Sequence, residues 1–161
     1  MALSGEEGLV KRKTEDKKEI VYTEAMEQKV VVSWWRDYAM THGIDERLLI
    51  HPANEGNRSR AFAHQLQLMG MRAGTPDLFL AVARQGYHGL WLEMKRAKRG
   101  KVSQAQEEML DLLDIAGYRA EICRGAAEAI AIITAYLAGD DIDALRGRRA
   151  VEGLPLFMRP D

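Results

Sequence analysis

Pro76-Asp77-Leu78-Phe79-Leu80-Ala81-Val82-Ala83 and Gly89-Leu90-Trp91-Leu92-Glu93-Met94-Lys95 are two apolar runs, divided by a short polar segment that contains Gln85-Gly86. Both suit a pleated sheet, and the glycine between them marks a turn, so residues 77–83 and 89–95 read as a β-hairpin. Side chains two apart on a strand share a face, so Glu93 and Lys95 point the same way. Folding about Gly86 sets Asp77 opposite Lys95 and one step from Glu93. Opposed and diagonal partners sit ~5–8 Å apart. Two carboxylates and an ammonium are therefore expected to converge at one end of the hairpin.

That combination has a chemistry. Hard oxygen ligands suit Mg²⁺, which keeps several waters and uses few protein carboxylates. A metal held by Asp77 and Glu93 polarises a phosphodiester and acidifies a bound water. Lys95 orients that water or stabilises charge developing on the phosphate. The bland alternative is a solvated strand face, since charges mark exposed or edge strands. Asp is depleted in strands, which weakens that alternative at Asp77.

Outward from the hairpin, the chain alternates helix and strand. Residues 22–40 carry Ala25, Val32, Trp35 and Ala39 at helical spacing behind Thr23 as N-cap. Residues 47–51 read as a short strand stopped by Pro52. Residues 59–69 read as a helix with Phe62, Leu66 and Met69 on its inner side and Gly70 as its stop. After the hairpin, Ser103 and Gln106 form a capping-box pattern, and that helix turns Met109, Leu113 and Ala116 inward. A strand over 118–123, an apolar helix over 126–137 and a short helix near 140–146 follow. This order implies an α/β fold with a mixed central sheet flanked by helices. Residues 1–19 read as a flexible polar tail, 20–137 as the domain and 138–161 as a C-terminal extension.

Bulk properties set limits. The 161 residues suffice for one domain. No apolar run approaches the ~20 residues of a membrane span, and residues 1–19 lack the apolar stretch of a secretory signal. The single cysteine, Cys123, excludes an intramolecular disulfide and suits a reducing cytoplasm. The net charge of −1 does not announce a nucleic-acid binder, so DNA-binding charge must be local. It is clustered at Lys95, Arg96, Lys98, Arg99 and Lys101, with Arg58, Arg60 and Arg72 as candidates to extend that surface. An HNH-type reading through His51, Asn54 and His64 fails on order and spacing.

Pro76-Asp77, then Glu93-Met94-Lys95 after 15 intervening residues, resembles the PD-(D/E)XK nuclease signature. Gly70-Met71-Arg72-Ala73-Gly74-Thr75 before it, Gly89-Leu90-Trp91-Leu92 within it, and Ser103-Gln104-Ala105-Gln106 and Ala116-Gly117-Tyr118 after it narrow the match. Together with Asn54-Glu55-Gly56 and Thr23-Glu24…Gln28, they resemble the virus-type replication-repair nuclease (VRR-NUC) family, collinearly over about residues 22–130. One departure is His51-Pro52-Ala53-Asn54, where an alanine separates a proline and asparagine that the family often has adjacent.

The resemblance implies a restriction-endonuclease-like core and a Mg²⁺-dependent DNA nuclease in which Mn²⁺ substitutes. It implies Asp77 and Glu93 as metal ligands, Lys95 as the catalytic lysine, the Met94 backbone carbonyl as a further ligand, Glu24 as the third acid, and Gln106 as a site residue. Glu27 stands close enough to compete with Glu24, and a capping box alone would explain Gln106. Stand-alone members are bacterial or phage proteins similar to Holliday-junction resolvases, which places the expected activity on branched DNA in a bacterial or phage-infected cytoplasm, with a 5′-phosphate product. A two-fold symmetric junction needs two active sites, so a homodimer is expected, with Trp34, Trp35 and Tyr38 as its candidate surface. The rival expectations are a non-catalytic DNA-binding module of the same fold, and a nuclease acting on flaps or linear duplex.

Overall fold

The computed structural model describes residues 22–52, 60–98 and 100–146. The tail at 1–19 and residues Asn54, Glu55, Arg58 and Arg99 lie outside the described residues. Among the described residues, four strands form one sheet in chain order: β1 (Leu49–Ile50), β2 (Leu78–Leu80), β3 (Leu90–Lys95) and β4 (Arg119–Arg124). The first two pairings are antiparallel and the third is parallel, so the sheet is mixed. Parallel neighbours require a crossover, and α3 (Gln104–Ile115) provides it between β3 and β4.

One face of the sheet is the core. Leu78, Leu80, Leu90, Leu92, Met94 and Cys123 are buried there against α1 (Glu24–Thr41) and α4 (Ala126–Ala138). On α1 the buried residues are Val31, Trp35 and Ala39, the i, i+4, i+8 ridge of a helix. Trp35 also donates its indole N–H to the Glu46 carbonyl at 2.8 Å. This corrects the expected dimer surface: Trp35 is only 1% exposed, and Trp34 and Tyr38 pack against the core. The apolar residues α1 leaves exposed are Tyr22 just before it, then Met26, Val30 and Met40. The inner face is also rotated from the expected one, with Ala25 exposed and Val31 rather than Val32 fully buried.

The hairpin differs from expectation in register. Leu78 pairs with Leu92 and Leu80 with Leu90, so the next step puts Asp77 opposite Glu93, not Lys95. Two things cause the shift. The turn is the two-residue Gln85-Gly86, both at positive φ, closed by an Arg84–Tyr87 bridge. In addition, residues 81–83 on one arm stand against only 88–89 on the other, so one extra residue is accommodated. The irregular arm is pinned by the buried Tyr136 hydroxyl, which accepts from the Arg84 N–H at 3.2 Å and donates to the Val82 carbonyl at 2.8 Å.

The expected strand at 47–51 is a 3₁₀ turn at Glu46–Leu48 followed by the two residues of β1. The helix α2 (Arg60–Leu68) forms, but Phe62 and Met69 are exposed rather than inward, and Ala63 and Leu66 are half-buried. The sheet faces are already occupied by α1, α4 and α3, which leaves α2 little to pack on. On α3, Leu110 is the buried residue and Ala116, just past its end, is exposed. A short α5 (Ile142–Arg146) closes the described chain, its Ile142 buried in the core.

Candidate active site

The second face of the sheet carries the polar cluster. Asp77 comes from the turn into β2, Glu93 and Lys95 from the end of β3, and α3 leans over them from the crossover. The turn before Asp77 fits closely against α3. Gly74 has φ of +81°, and a Cβ there would fall 2.1 Å from the Ala105 carbonyl oxygen. Only glycine permits both that conformation and that approach.

Glu93 is buried, 1% exposed, and Lys95 is 6% exposed. The Lys95 ammonium donates to Glu93 Oε1 at 2.7 Å. Gln106 Nε2 donates to the same oxygen, while Gln106 Oε1 accepts from the Ser103 N–H at 2.9 Å. Ser103 Oγ in turn accepts from the Gln106 N–H at 3.3 Å, completing the capping box. Both ends of the Gln106 amide are thus engaged: one caps α3 and the other donates to Glu93. Asp77 Oδ2 accepts from the Met94 N–H at 2.6 Å. The Arg119 N–H to Gly89 carbonyl and Gly125 N–H to Lys95 carbonyl bonds show that odd-numbered residues of β3 bond to β4. The Met94 carbonyl is therefore turned to the β2 side, toward Asp77.

Burial pushes the Glu93 carboxyl up to about 7, against the pull of the Lys95 ammonium, and Asp77 and Glu24 push it the same way. Its other oxygen, Oε2, is buried with no hydrogen-bond partner among the described residues. A carboxylate oxygen in that position costs free energy unless something positive meets it. These residues fit a hard divalent cation: a buried unpartnered carboxylate oxygen, a second carboxylate across the ladder, and a carbonyl between them. Among the described residues no three His, Cys, Asp or Glu side chains come together as a metal cage. Such a donor set leaves most of an octahedral shell to water, which is the habit of Mg²⁺.

Glu24 and Glu27 separate clearly. Glu24, in the first turn of α1, accepts from the Arg96 N–H at 3.3 Å, immediately beyond Lys95. Glu27 Oε2 accepts from the Ala126 N–H at 2.8 Å, at the start of α4, where the N-cap Gly125 offers no side chain. Glu24 therefore sits beside the cluster, and Glu27 docks one helix on another.

The sequence profile of the VRR-NUC domain matches residues 13–127. This chain belongs to the VRR-NUC family. A solved structure of a VRR-NUC domain protein superposes with a TM-score of 0.66 at 28% identity, covering 76% of this chain and 94% of that one. No curated protein matches the sequence. The mixed sheet with flanking helices is thus a restriction-endonuclease-like α/β fold, and the chain carries a nuclease-type domain.

Around the polar cluster of this VRR-NUC domain, Arg96, Lys98 and Lys101 are exposed on the loop after β3. Arg72 is also exposed, with Nη1 donating at 3.2 Å to the carbonyls of Gln67 and Met71, which closes the end of α2. Arg60 opens α2. One residue was missed in the sequence. Arg124 pairs with Lys95 in the parallel register, is exposed, and donates to the Gly100 carbonyl at 2.9 Å, so it holds the basic loop down beside Lys95. Only the register of β4 against β3 reveals it. Among the described residues no helix is long and apolar enough to cross a membrane.

Proposed function

We propose that this VRR-NUC domain is a Mg²⁺-dependent endonuclease acting on branched DNA in the manner of a Holliday-junction resolvase, with Mn²⁺ able to substitute. The observation that carries the reading is Glu93 Oε2, buried beside Asp77 and unpartnered among the described residues. Asp77, Glu93 and the Met94 carbonyl would hold the ion, with Glu24 as the third acid at its edge. When bound, the ion supplies polarisation of the scissile phosphate and a more acidic water.

The chain's own groups supply the rest. Lys95 holds a positive donor next to Glu93 and stabilises charge developing on the phosphodiester. Gln106 fixes the Glu93 carboxylate so that Oε2 stays turned to the site. Arg72, Arg96, Lys98 and Lys101, with Arg58, Arg60 and Arg99, contact backbone phosphates and set the register of the duplex. Two symmetric nicks require two sites, which calls for a homodimer.

The test is cleavage of a labelled four-way junction in Mg²⁺ by wild type and Lys95→Ala. Paired nicks by wild type, lost in the mutant with binding retained, are the expected outcome. Cutting of flaps or linear duplex in preference to the junction would overturn the junction reading and keep the nuclease. No cutting of any substrate in Mg²⁺ or Mn²⁺, with binding intact, would leave a DNA-binding module.

A further inference from the structure

We infer that His51 is a positioning residue for Asp77, standing in for a backbone donor that the sheet lacks. The inference rests on the metal-site reading above. In the β1–β2 ladder, Ile50 pairs with Phe79, and the Ala81 N–H donates to the Leu48 carbonyl at 2.9 Å. Hydrogen-bonded pairs alternate along an antiparallel ladder, so 48/81 and 50/79 are bonded pairs, and 52/77 is the next. Residue 52 is proline and has no N–H. The Asp77 carbonyl is thereby deprived of its ladder donor one residue before β2 begins.

The imidazole of His51 fills that place. Its Nδ1 lies 2.7 Å from the Asp77 carbonyl oxygen. A ring nitrogen that close to a carbonyl oxygen must carry the proton. Gln28 Nε2 on α1 lies 3.0 Å from the same nitrogen. With the one hydrogen of Nδ1 aimed at Asp77, exchanging the amide's nitrogen and oxygen lets the oxygen share that proton. α1 thus reaches the cluster twice from one face, through Glu24 at the end of β3 and through Gln28 and His51 at the start of β2. Asp77 is held at both ends: its carbonyl by His51 and its carboxylate by the Met94 N–H at 2.6 Å. The first contact fixes the peptide plane that follows Asp77, and with it the direction from which the carboxylate enters the site. Groups that orient a ligand in this way commonly change metal affinity by about 10–100-fold when removed.

The test uses the full chain, Mn²⁺ as the probe and titration calorimetry as the readout, with His51→Ala, His51→Asn and His51→Gln. The amide nitrogen of asparagine falls near the position of Nδ1, whereas that of glutamine falls near Nε2. His51→Ala and His51→Gln are expected to bind Mn²⁺ about 10–100-fold more weakly than wild type, with His51→Asn restoring most of the loss. DNA affinity in EDTA is expected to stay unchanged in all three. Wild-type affinity in His51→Ala, rescue by glutamine instead of asparagine, or loss of DNA binding in EDTA would each overturn the assignment while leaving the metal site standing. No Mn²⁺ binding by wild type would overturn both.

Discussion

At the scale of single residues, the site depends on side chains with two obligations. Gln106 closes the capping box of α3 with one end of its amide and holds Glu93 with the other. The two obligations can be separated, because Ser103 shares only the first. Ser103→Ala is expected to cost roughly 1 kcal/mol of stability, the usual value of an N-cap, with cleavage close to wild type. Gln106→Ala is expected to cost a similar amount and to slow cleavage roughly 10–100-fold as well, because Glu93 loses its orienting donor. Urea unfolding and single-turnover cleavage of both variants measure this. Equal activity in the two would show that Gln106 is only a cap. The sequence could not choose between these roles, since a capping box and a site residue want the same amide at the same spacing. The choice between Glu24 and Glu27 was equally closed: both acids lie in the first turn of α1, and only the position of the Ala126 N–H tells them apart.

At the scale of elements, Asp114 couples the end of α3 to β4, where its Oδ1 accepts from the Ala120 N–H at 3.0 Å. Burial raises this carboxyl to about 7, against the pull of that N–H and of Arg119. In the unfolded chain it would titrate near 3.8. Between those values the folded protein holds the proton and the unfolded chain does not, so stability falls as pH rises from about 4 to 7. Above about 7 the full penalty is present, at most roughly 4 kcal/mol for a shift of about three units. Asp114→Asn keeps the acceptor for Ala120 and removes the charge. It is expected to stabilise the protein at pH 8 and to make little difference near pH 4, as thermal unfolding at the two values would show. An equal effect at both would contradict the linkage. The elements themselves were legible in order and type, because their apolar periods and caps are strong. The inner face of α1 was misread because its first inward positions are Glu24, Glu27 and Gln28, polar for the sake of the site and the α4 terminus. The hairpin register was misread because a turn residue fixes where a chain reverses but not whether one arm carries an extra residue.

At the scale of the whole molecule, the proposed DNA nuclease is a nearly neutral chain, so it would bind a polyanion through a local field. Acidic side chains gather at the site, so in that reading the cations that would meet DNA have to stand around it. The exposed Lys98 and Lys101 lie on the loop that follows Lys95, and Arg124 holds that loop through the Gly100 carbonyl. This surface was legible as a run of charge, but its anchoring on the end of β4 was not, since Arg124 lies far along the chain from the loop. Binding to a junction in EDTA, measured from low to high salt, should give a straight line of log K against log salt. Each phosphate contact contributes roughly one unit of slope. Lys98→Ala and Lys101→Ala are each expected to reduce the slope by about one, with little change in preference between junction and duplex. Arg124→Ala is expected to do more than either, because the loop loses its anchor and both lysines lose their place at once. A slope unchanged by Arg124→Ala, with both lysine variants reduced, would mean that the loop holds its position without that guanidinium. Slopes unchanged in all three would mean that the DNA track does not run over this loop.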